Sequence, residues 1–215
     1  MRDCVFYVAD ISMEGAFRGF LSRPDFHLPH NLGTRRFRFD PSEDLFRAGG
    51  HDPGLFSTGH ELIQTFRTSH ERAVVVLDAE WDGAPEPQEI QEDLTERIAK
   101  YGWPRDRFKV IVINPELEAW IWQRNQRVAT PLRFNSVNEM VGAVTACGIA
   151  WPDGAPKPIR PKEALEAVAK SQRIGWSSAI HRSVTQSVTL AGCQDASFLE
   201  LRDTLRGWFP QEAGA

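Results

Sequence analysis

Three short apolar segments dominate the pattern of hydrophobic and polar positions along the chain. Each is continuous and rich in valine, isoleucine or aromatic residues, which is typical of strands buried on both faces of a sheet. They are CVFYVAD (4–10), AVVVLDAE (73–80) and RFKVIVI (107–113). A fourth segment, TRRFRFD (34–40), alternates polar and aromatic residues, and this alternation predicts an edge strand.

Helical periodicity separates and follows these strands. Apolar residues recur at helical spacing in residues 59–72, 85–102, 116–125, 161–171 and 196–209. Pro115 suits the first position of the third helix, and Ser197 can cap the start of the last one. Because strands and helices alternate, the pattern predicts an α/β fold with a mostly parallel central sheet flanked by helices.

Length and loop composition predict a single α/β domain with a helical extension. The chain has 215 residues, which is ordinary for one domain of this class. Residues 41–58 are rich in Gly, Pro and Asp and predict a surface excursion. A proline-rich loop, 151–161, separates a domain of residues 1–150 from a helical C-terminal region, residues 151–215, which we expect to pack on the same domain.

Composition narrows the class of protein. Hydrophobic residues make up 41% and charged residues 25%, as in ordinary globular domains. No apolar run approaches the ~20 residues of a membrane span, and the polar start of the chain does not resemble a signal peptide. The three cysteines are isolated, without the spacing of a zinc site. We therefore expect a cytoplasmic protein without membrane contact.

The distribution of charge leaves two interpretations open. The net charge is −4, which does not by itself indicate nucleic-acid binding. Between residues 157 and 182, however, six Lys or Arg residues stand against two Glu. Such a cluster can contact phosphates, or it can be a solvated charged face. The candidates for phosphate contact are Lys162, Lys170, Arg173 and His181, although an ordinary structural histidine is the simpler interpretation of His181.

Acidic residues follow all three apolar strands. They are Asp10 and Glu14 after the first strand, Asp78, Glu80 and Asp82 after the second, and Glu116 and Glu118 after the third. The carboxyl ends of parallel strands share one edge of the sheet, where open α/β sheets bind ligands. Carboxylates crowded together are tolerated when a cation neutralises them, and oxygen ligands favour Mg²⁺ or Mn²⁺. The sequence therefore predicts a divalent-metal site.

A purely structural interpretation applies to some of these acids better than to others. Asp10, Glu116 and Glu118 are equally well explained as turn residues or helix caps. The acids at 78, 80 and 82 alternate directly after a buried strand, and three acids in that pattern make a poor turn unless something offsets their repulsion. Metal binding is therefore predicted first for Asp78 and Glu80.

These landmarks resemble the TOPRIM domain of topoisomerases, bacterial primases and OLD-family nucleases. That domain has a Glu after its first strand and Asp-x-Asp after a later strand. Glu14-Gly15 matches the first motif, and Asp78-Ala79-Glu80 matches the second with Glu in place of the second Asp. The resemblance implies a Rossmann-like TOPRIM fold, Glu14 as the general acid or base, and Mg²⁺ or Mn²⁺ held by Asp78 and Glu80, with Asp82 as a further ligand.

The chain is also similar to small bacterial TOPRIM-like proteins found in anti-phage defence loci. The most specific shared feature is the box Pro-Glu-Leu-Glu-Ala-Trp at residues 115–120. The segments SVTLAGC (187–193) and SFLELRDTL (197–205) also match. The first motif departs from the family, because Phe17-Arg18 stands where Thr-Glu is usual.

The resemblance implies a Mg²⁺-dependent nuclease that cleaves phosphodiesters in anti-phage defence. Its expected partners are nucleic acid, with DNA preferred, and other proteins of a defence system; homodimerisation is left open. Because two motifs depart from the family, the alternative is a catalytically inactive TOPRIM-fold subunit that binds or scaffolds a defence complex. A third alternative is phosphoryl chemistry on a small nucleotide.

Overall fold

The computed structural model describes residues 1–189 and 192–211, so two residues of the SVTLAGC segment, 190 and 191, lie outside the described residues. In chain order, the elements are β1 (Arg2–Val8), α1 (Ile11–Leu21), β2 (Leu45–Arg47), α2 (His51–Leu62) with a 3-10 turn (Ile63–Phe66), β3 (His70–Asp78), α3 (Pro87–Lys100), β4 (Phe108–Ile113), α4 (Glu118–Ile121), α5 (Gln126–Ala129), α6 (Val137–Ala146), α7 (Pro161–Ser171), α8 (Ser178–Ser187) and α9 (Ala196–Trp208).

The four described strands form one sheet in the order β2-β1-β3-β4, and every pair of neighbours is parallel. Val76 in β3 is opposite Val8 in β1 on one side and Ile111 in β4 on the other. The two central strands are almost completely buried because helices cover the sheet. The predicted α/β fold with a parallel sheet is therefore confirmed, and its arrangement is consistent with a Rossmann-like fold.

The predicted edge strand at residues 34–40 is wrong. The amide of Arg38 donates to the Asp3 carboxylate at 2.7 Å, and the amide of Arg35 donates to the Phe209 carbonyl at 2.9 Å. The backbone of this segment is therefore satisfied by a side chain and by the C-terminal part of the chain instead of by a neighbouring strand. The edge strands of the described sheet are β2 and β4.

The surface excursion predicted for residues 41–58 is also wrong, because this stretch holds β2 and the start of α2. Gly50, with φ +83°, precedes the helix, and Pro53 lies in its first turn. Glycine and proline are typical of loops, but proline is tolerated in the first turn of a helix, where its missing N–H has no intrahelical partner. Helix α2 then ends at Leu62, so the helix predicted for 59–72 is shorter and lies earlier.

One predicted helix start and one predicted cap need correction, while three whole helices are confirmed. Helix α4 begins at Glu118 instead of at Pro115 and lasts four residues. The cap of α9 is Asp195, whose carboxylate accepts the amide of Ser197 at 3.1 Å. The helices predicted at 85–102, 161–171 and 196–209 are present as α3, α7 and α9.

The C-terminal helices pack directly on the sheet domain. Helix α8 lies against α1, and α9 lies along β4. A methyl group on Gly15 would approach the carbonyl oxygen of Ser178 to 2.5 Å, and one on Gly19 would approach that of Arg182 to 2.5 Å. The glycine of the Glu14-Gly15 motif therefore lets two helices approach closely. In the part of the chain that the structure describes, the helices are too short or too polar to cross a membrane.

Gly19→Ala is expected to lower the free energy of unfolding by about 1–3 kcal/mol, as overpacking typically does. The added methyl group meets backbone atoms of α8, which cannot rotate away as a side chain can. The control is Gly142→Ala in α6, where a methyl group meets nothing within 4 Å and helix propensity improves. Chemical denaturation of both variants tests this, and equal stability of the two would contradict the close helix contact.

Candidate functional site

The negative charge of four acids acts on Asp78 at the carboxyl edge of the sheet. Asp78 ends β3 and is 9% exposed. Burial raises the pKa of its carboxyl group well above the ordinary value, and negative charge on four nearby acids raises it further. In order of effect these acids are Asp52, Glu118, Asp10 and Glu116. We call these five residues the acidic cluster.

One oxygen of Asp78 lacks a partner. The Oδ1 atom is buried and has no hydrogen-bond donor within residues 1–189 and 192–211. A buried polar atom without a partner is uncommon and costs about 1–3 kcal/mol. Because the neighbouring groups are also acidic, a cation or a proton is what this atom needs. Asp78 was predicted as a metal ligand, and its surroundings fit that chemistry.

Asp52 belongs to the cluster but was missed by sequence reasoning. It lies in the first turn of α2, and its Oδ1 accepts the backbone amide of Asp78 at 2.7 Å. Burial raises its pKa, although the hydrogen bond from the Asp78 amide acts in the opposite direction. The sequence GGHDP (49–53) is compatible with the start of a helix as well as with a turn, because Asp and Pro are both common in the first turn of a helix.

Asp10 and Glu116 have structural roles as well as places in the cluster. Asp10 caps α1 by accepting the amide of Met13 at 2.8 Å. Glu116 accepts the amide of Lys162, in the first turn of α7, at 2.9 Å. Both contacts satisfy amide groups at helix starts, as the structural interpretation of these acids anticipated. Each carboxylate is thereby held in place at a helix start, where its charge raises the pKa of Asp78.

Glu118 and His181 form a buried pair. Their Oε1 and Nε2 atoms are 2.7 Å apart, and the side chains are 4% and 0% exposed. His181 was predicted to contact phosphate, but its ring is enclosed and bonded to a carboxylate. In this arrangement the histidine holds Glu118 in position within the cluster.

Lys162 brings positive charge to the rim of the acidic cluster. Its Nζ atom is 4.0 Å from Glu116, and half of the side chain is exposed. Burial lowers the pKa of this lysine, but attraction to Glu118, Glu116 and Asp78 outweighs burial and raises it. Lys162 remains accessible to a phosphate from the solvent side. The other two basic candidates are exposed: Lys170 lies about 12 Å along α7 from Lys162, and Arg173 lies just beyond the end of that helix.

The remaining predicted site residues lie outside the cluster. Glu80 is exposed and lines a surface hollow together with Glu116 and Lys162. Asp82 lies in an exposed turn. Glu14 points toward β2, where its two oxygens pair with Arg18 at 3.0 Å and Arg47 at 3.2 Å. Glu14 of the first motif therefore pairs with arginines, whereas Asp78 of the second motif lies under the influence of other acids.

The acidic cluster offers few protein ligands to a divalent cation. Among the described residues, no three His, Cys, Asp or Glu side chains form a group that could hold a metal ion. Mg²⁺ commonly takes one or two carboxylates and completes its shell with water and substrate phosphates. Asp78 offers one buried, unpartnered carboxylate oxygen to such an ion, and the acids that raise its pKa add negative charge.

Comparison with protein-family models, curated proteins and solved structures found no match. Two observations therefore bear on the function of this chain. One is the geometry of the acidic cluster at the sheet edge. The other is the motif resemblance in the sequence.

Proposed function

We propose that this chain is a Mg²⁺- or Mn²⁺-dependent, TOPRIM-like protein that cleaves phosphodiesters in nucleic acid. The observation that carries the proposal is the unpartnered, buried oxygen of Asp78 among four other acids at the carboxyl edge of a parallel sheet. A role in anti-phage defence, with DNA as substrate and other defence proteins as partners, is proposed from the motif resemblance.

The residues of the cluster have separate tasks in this proposal. Asp78 and one neighbouring carboxylate, Glu118 or Asp52, would hold the cation, and His181 keeps Glu118 oriented. When bound, the cation would stabilise negative charge on the attacking and leaving oxygens of a phosphodiester. Lys162, half exposed at the rim, is placed to contact a phosphate oxygen.

The other acids of the two motifs keep proposed roles that depend on rearrangement. Glu80 lines the hollow beside Glu116 and could supply a further ligand to the cation. Asp82, two residues later in the chain, could do the same. Glu14 could act as general acid or base only after it separates from Arg18 and Arg47, because both of its oxygens are engaged. A phosphate that attracts these two arginines would release it.

The same pairing of Glu14 favours one alternative, a catalytically inactive binding subunit. A carboxylate held by two arginines is a stable surface feature that needs no chemistry. Nucleic-acid binding without cleavage in the presence of Mg²⁺ or Mn²⁺ would support this alternative.

Cleavage by the purified chain, and its loss in Asp78→Asn, tests the proposal. Labelled single-stranded and duplex DNA, RNA and mononucleotides are incubated with Mg²⁺, Mn²⁺ or EDTA. We expect metal-dependent cleavage of a polynucleotide that falls at least about 100-fold in the variant, as when a catalytic electrostatic group is removed. The control is Glu71→Gln, which removes an exposed acid from the opposite end of the same strand, β3. Equal cleavage by Asp78→Asn and the unaltered protein would refute the assignment.

A further inference from the structure

An exposed tryptophan lies beside the acidic cluster. Trp176, in the loop between α7 and α8, is 45% exposed. Its ring meets the ring of His181 edge-on, with centroids 5.4 Å apart and planes at 79°. His181 is bonded in turn to Glu118. One imidazole ring therefore separates a solvent-exposed indole from the carboxylates of the candidate site.

The surroundings of Trp176 are basic. Lys170 lines the same surface hollow as Trp176, and Arg173 is exposed three residues earlier in the loop. Arg133 adds a third cation, since its guanidinium donates to a carbonyl of this loop at 3.1 Å. Glu166 also lines the hollow and offsets one of these charges. The hollow lined by Glu166, Ala169, Lys170, Ile174 and Trp176, which we call the Trp176 hollow, therefore balances one cation with one acid, and the surplus of positive charge comes from Arg173 and Arg133 on the adjoining loop.

The loop that carries Trp176 is anchored at several points. The amide of Ile174 donates to the Ala169 carbonyl at 2.8 Å, and Arg173 adopts a left-handed conformation with φ +52°. Together with the hydrogen bond from Arg133, these contacts define the course of the loop after α7. The indole is therefore presented to solvent by a defined loop conformation, at a fixed position relative to Glu118.

We infer that the Trp176 hollow binds an unpaired base of a single-stranded nucleic acid. The base stacks on the indole, and Lys170 and Arg173 contact the flanking phosphates. Bases inside a duplex are stacked on each other and cannot reach an isolated aromatic side chain, so the hollow selects single strands. This inference rests on the proposed function, because a base held here lies beside Trp176, whose ring meets His181, the partner of Glu118 in the acidic cluster. The cations favour nucleic acid over an apolar peptide as the occupant.

Binding measured under conditions that prevent cleavage tests the inference. Anisotropy of fluorescein-labelled single-stranded DNA, single-stranded RNA and duplex DNA is measured in EDTA with the full chain. Two substitutions separate stacking from packing: Trp176→Leu keeps an apolar cover over His181 but removes the aromatic surface, while Trp176→Phe keeps both. We expect Trp176→Leu to weaken single-strand binding about tenfold or more, and Trp176→Phe to retain most of the affinity. Comparison of the DNA and RNA arms identifies the nucleic acid.

The matched control is Tyr101→Leu, which removes another exposed aromatic side chain, 51% exposed at the end of α3. It should leave binding unchanged. Lys170→Ala is expected to weaken binding and to reduce its dependence on salt concentration. Unchanged single-strand affinity in Trp176→Leu, or duplex binding as tight as single-strand binding, would overturn the inference. Binding that depends on Trp176 in a protein without nuclease activity would support the inference and reject the proposed cleavage.

Discussion

Asp44→Asn is expected to lower the free energy of unfolding at neutral pH by about 3 kcal/mol, the cost of breaking a buried ion pair. The Asp44 side chain is fully buried beneath the N-terminal ends of β1 and β3. It pairs with the guanidinium of Arg2 and with His70 at 3.1 Å, and it accepts the amide of Asp40 at 2.7 Å. Asparagine keeps the shape but leaves these donors without a negative partner.

The difference in stability between Asp44→Asn and the unaltered protein should depend on pH. Burial acts to raise the pKa of Asp44, but hydrogen bonds from Arg2, His70 and the Asp40 amide outweigh it and lower the pKa to about 2 from 3.8. A lowered pKa in the folded protein stabilises it above pH 3.8, by about 2.5 kcal/mol for this difference. The contribution is lost as pH falls from about 4 to about 2.

Denaturant titrations of both proteins between pH 7 and pH 2 measure this effect. The control is Glu43→Gln, which removes an exposed negative charge from the adjacent position. Its stability should stay within about 0.5 kcal/mol of the unaltered protein. An Asp44 variant whose deficit at pH 7 persists undiminished at pH 2 would show that its carboxylate charge does not stabilise the fold.

Asp78→Asn is expected to act in the opposite direction, raising stability in EDTA and abolishing stabilisation by Mg²⁺. The carboxylate is buried among acids with an oxygen that lacks a donor in the described part of the chain. An asparagine amide can donate to a neighbouring carboxylate and carries no charge. Removing the desolvation penalty and the repulsion should add about 1–3 kcal/mol, which corresponds to a rise of several degrees in Tm.

The response to metal separates this role from a purely structural one. If the unaltered protein binds Mg²⁺ through Asp78, a concentration 100 times the dissociation constant stabilises it by about 2.7 kcal/mol. Asp78→Asn should show no such gain, whereas Glu71→Gln, on the same strand, should retain it. Thermal unfolding in EDTA and in Mg²⁺ measures both effects. A Tm of Asp78→Asn that rises with Mg²⁺ as much as that of the unaltered protein would exclude Asp78 as a ligand.

Local patterns determined much of the fold and part of the candidate site. The continuous apolar runs of β1, β3 and β4 identify buried strands, because only a strand covered on both faces needs such a run. Alternation with helices makes parallel pairing the natural outcome, and parallel strands carry the acids that follow them to one edge. For this reason, Asp78, Asp10, Glu116 and Glu118 could be placed together from the sequence.

Other acids could not be assigned in this way. Asp52 joins the cluster because α2 begins where a loop was expected and points its first turn at the end of β3. Glu14 follows the first strand as predicted, yet its helix turns it toward Arg47 of the edge strand β2. Both outcomes depend on the position of β2, a strand of three residues whose sequence pattern is too short to recognise.

The sequence by itself determined where the buried strands lie and that acids follow them, because apolar continuity and residue order are local properties. Tertiary structure alone decided which charges meet. Asp52 and Asp78 are 26 residues apart, and Glu118 and His181 are 63 apart, yet each pair is in hydrogen-bond contact. Such pairings follow from how helices pack across the sheet, and helix packing depends on the shape of the whole core rather than on any single segment.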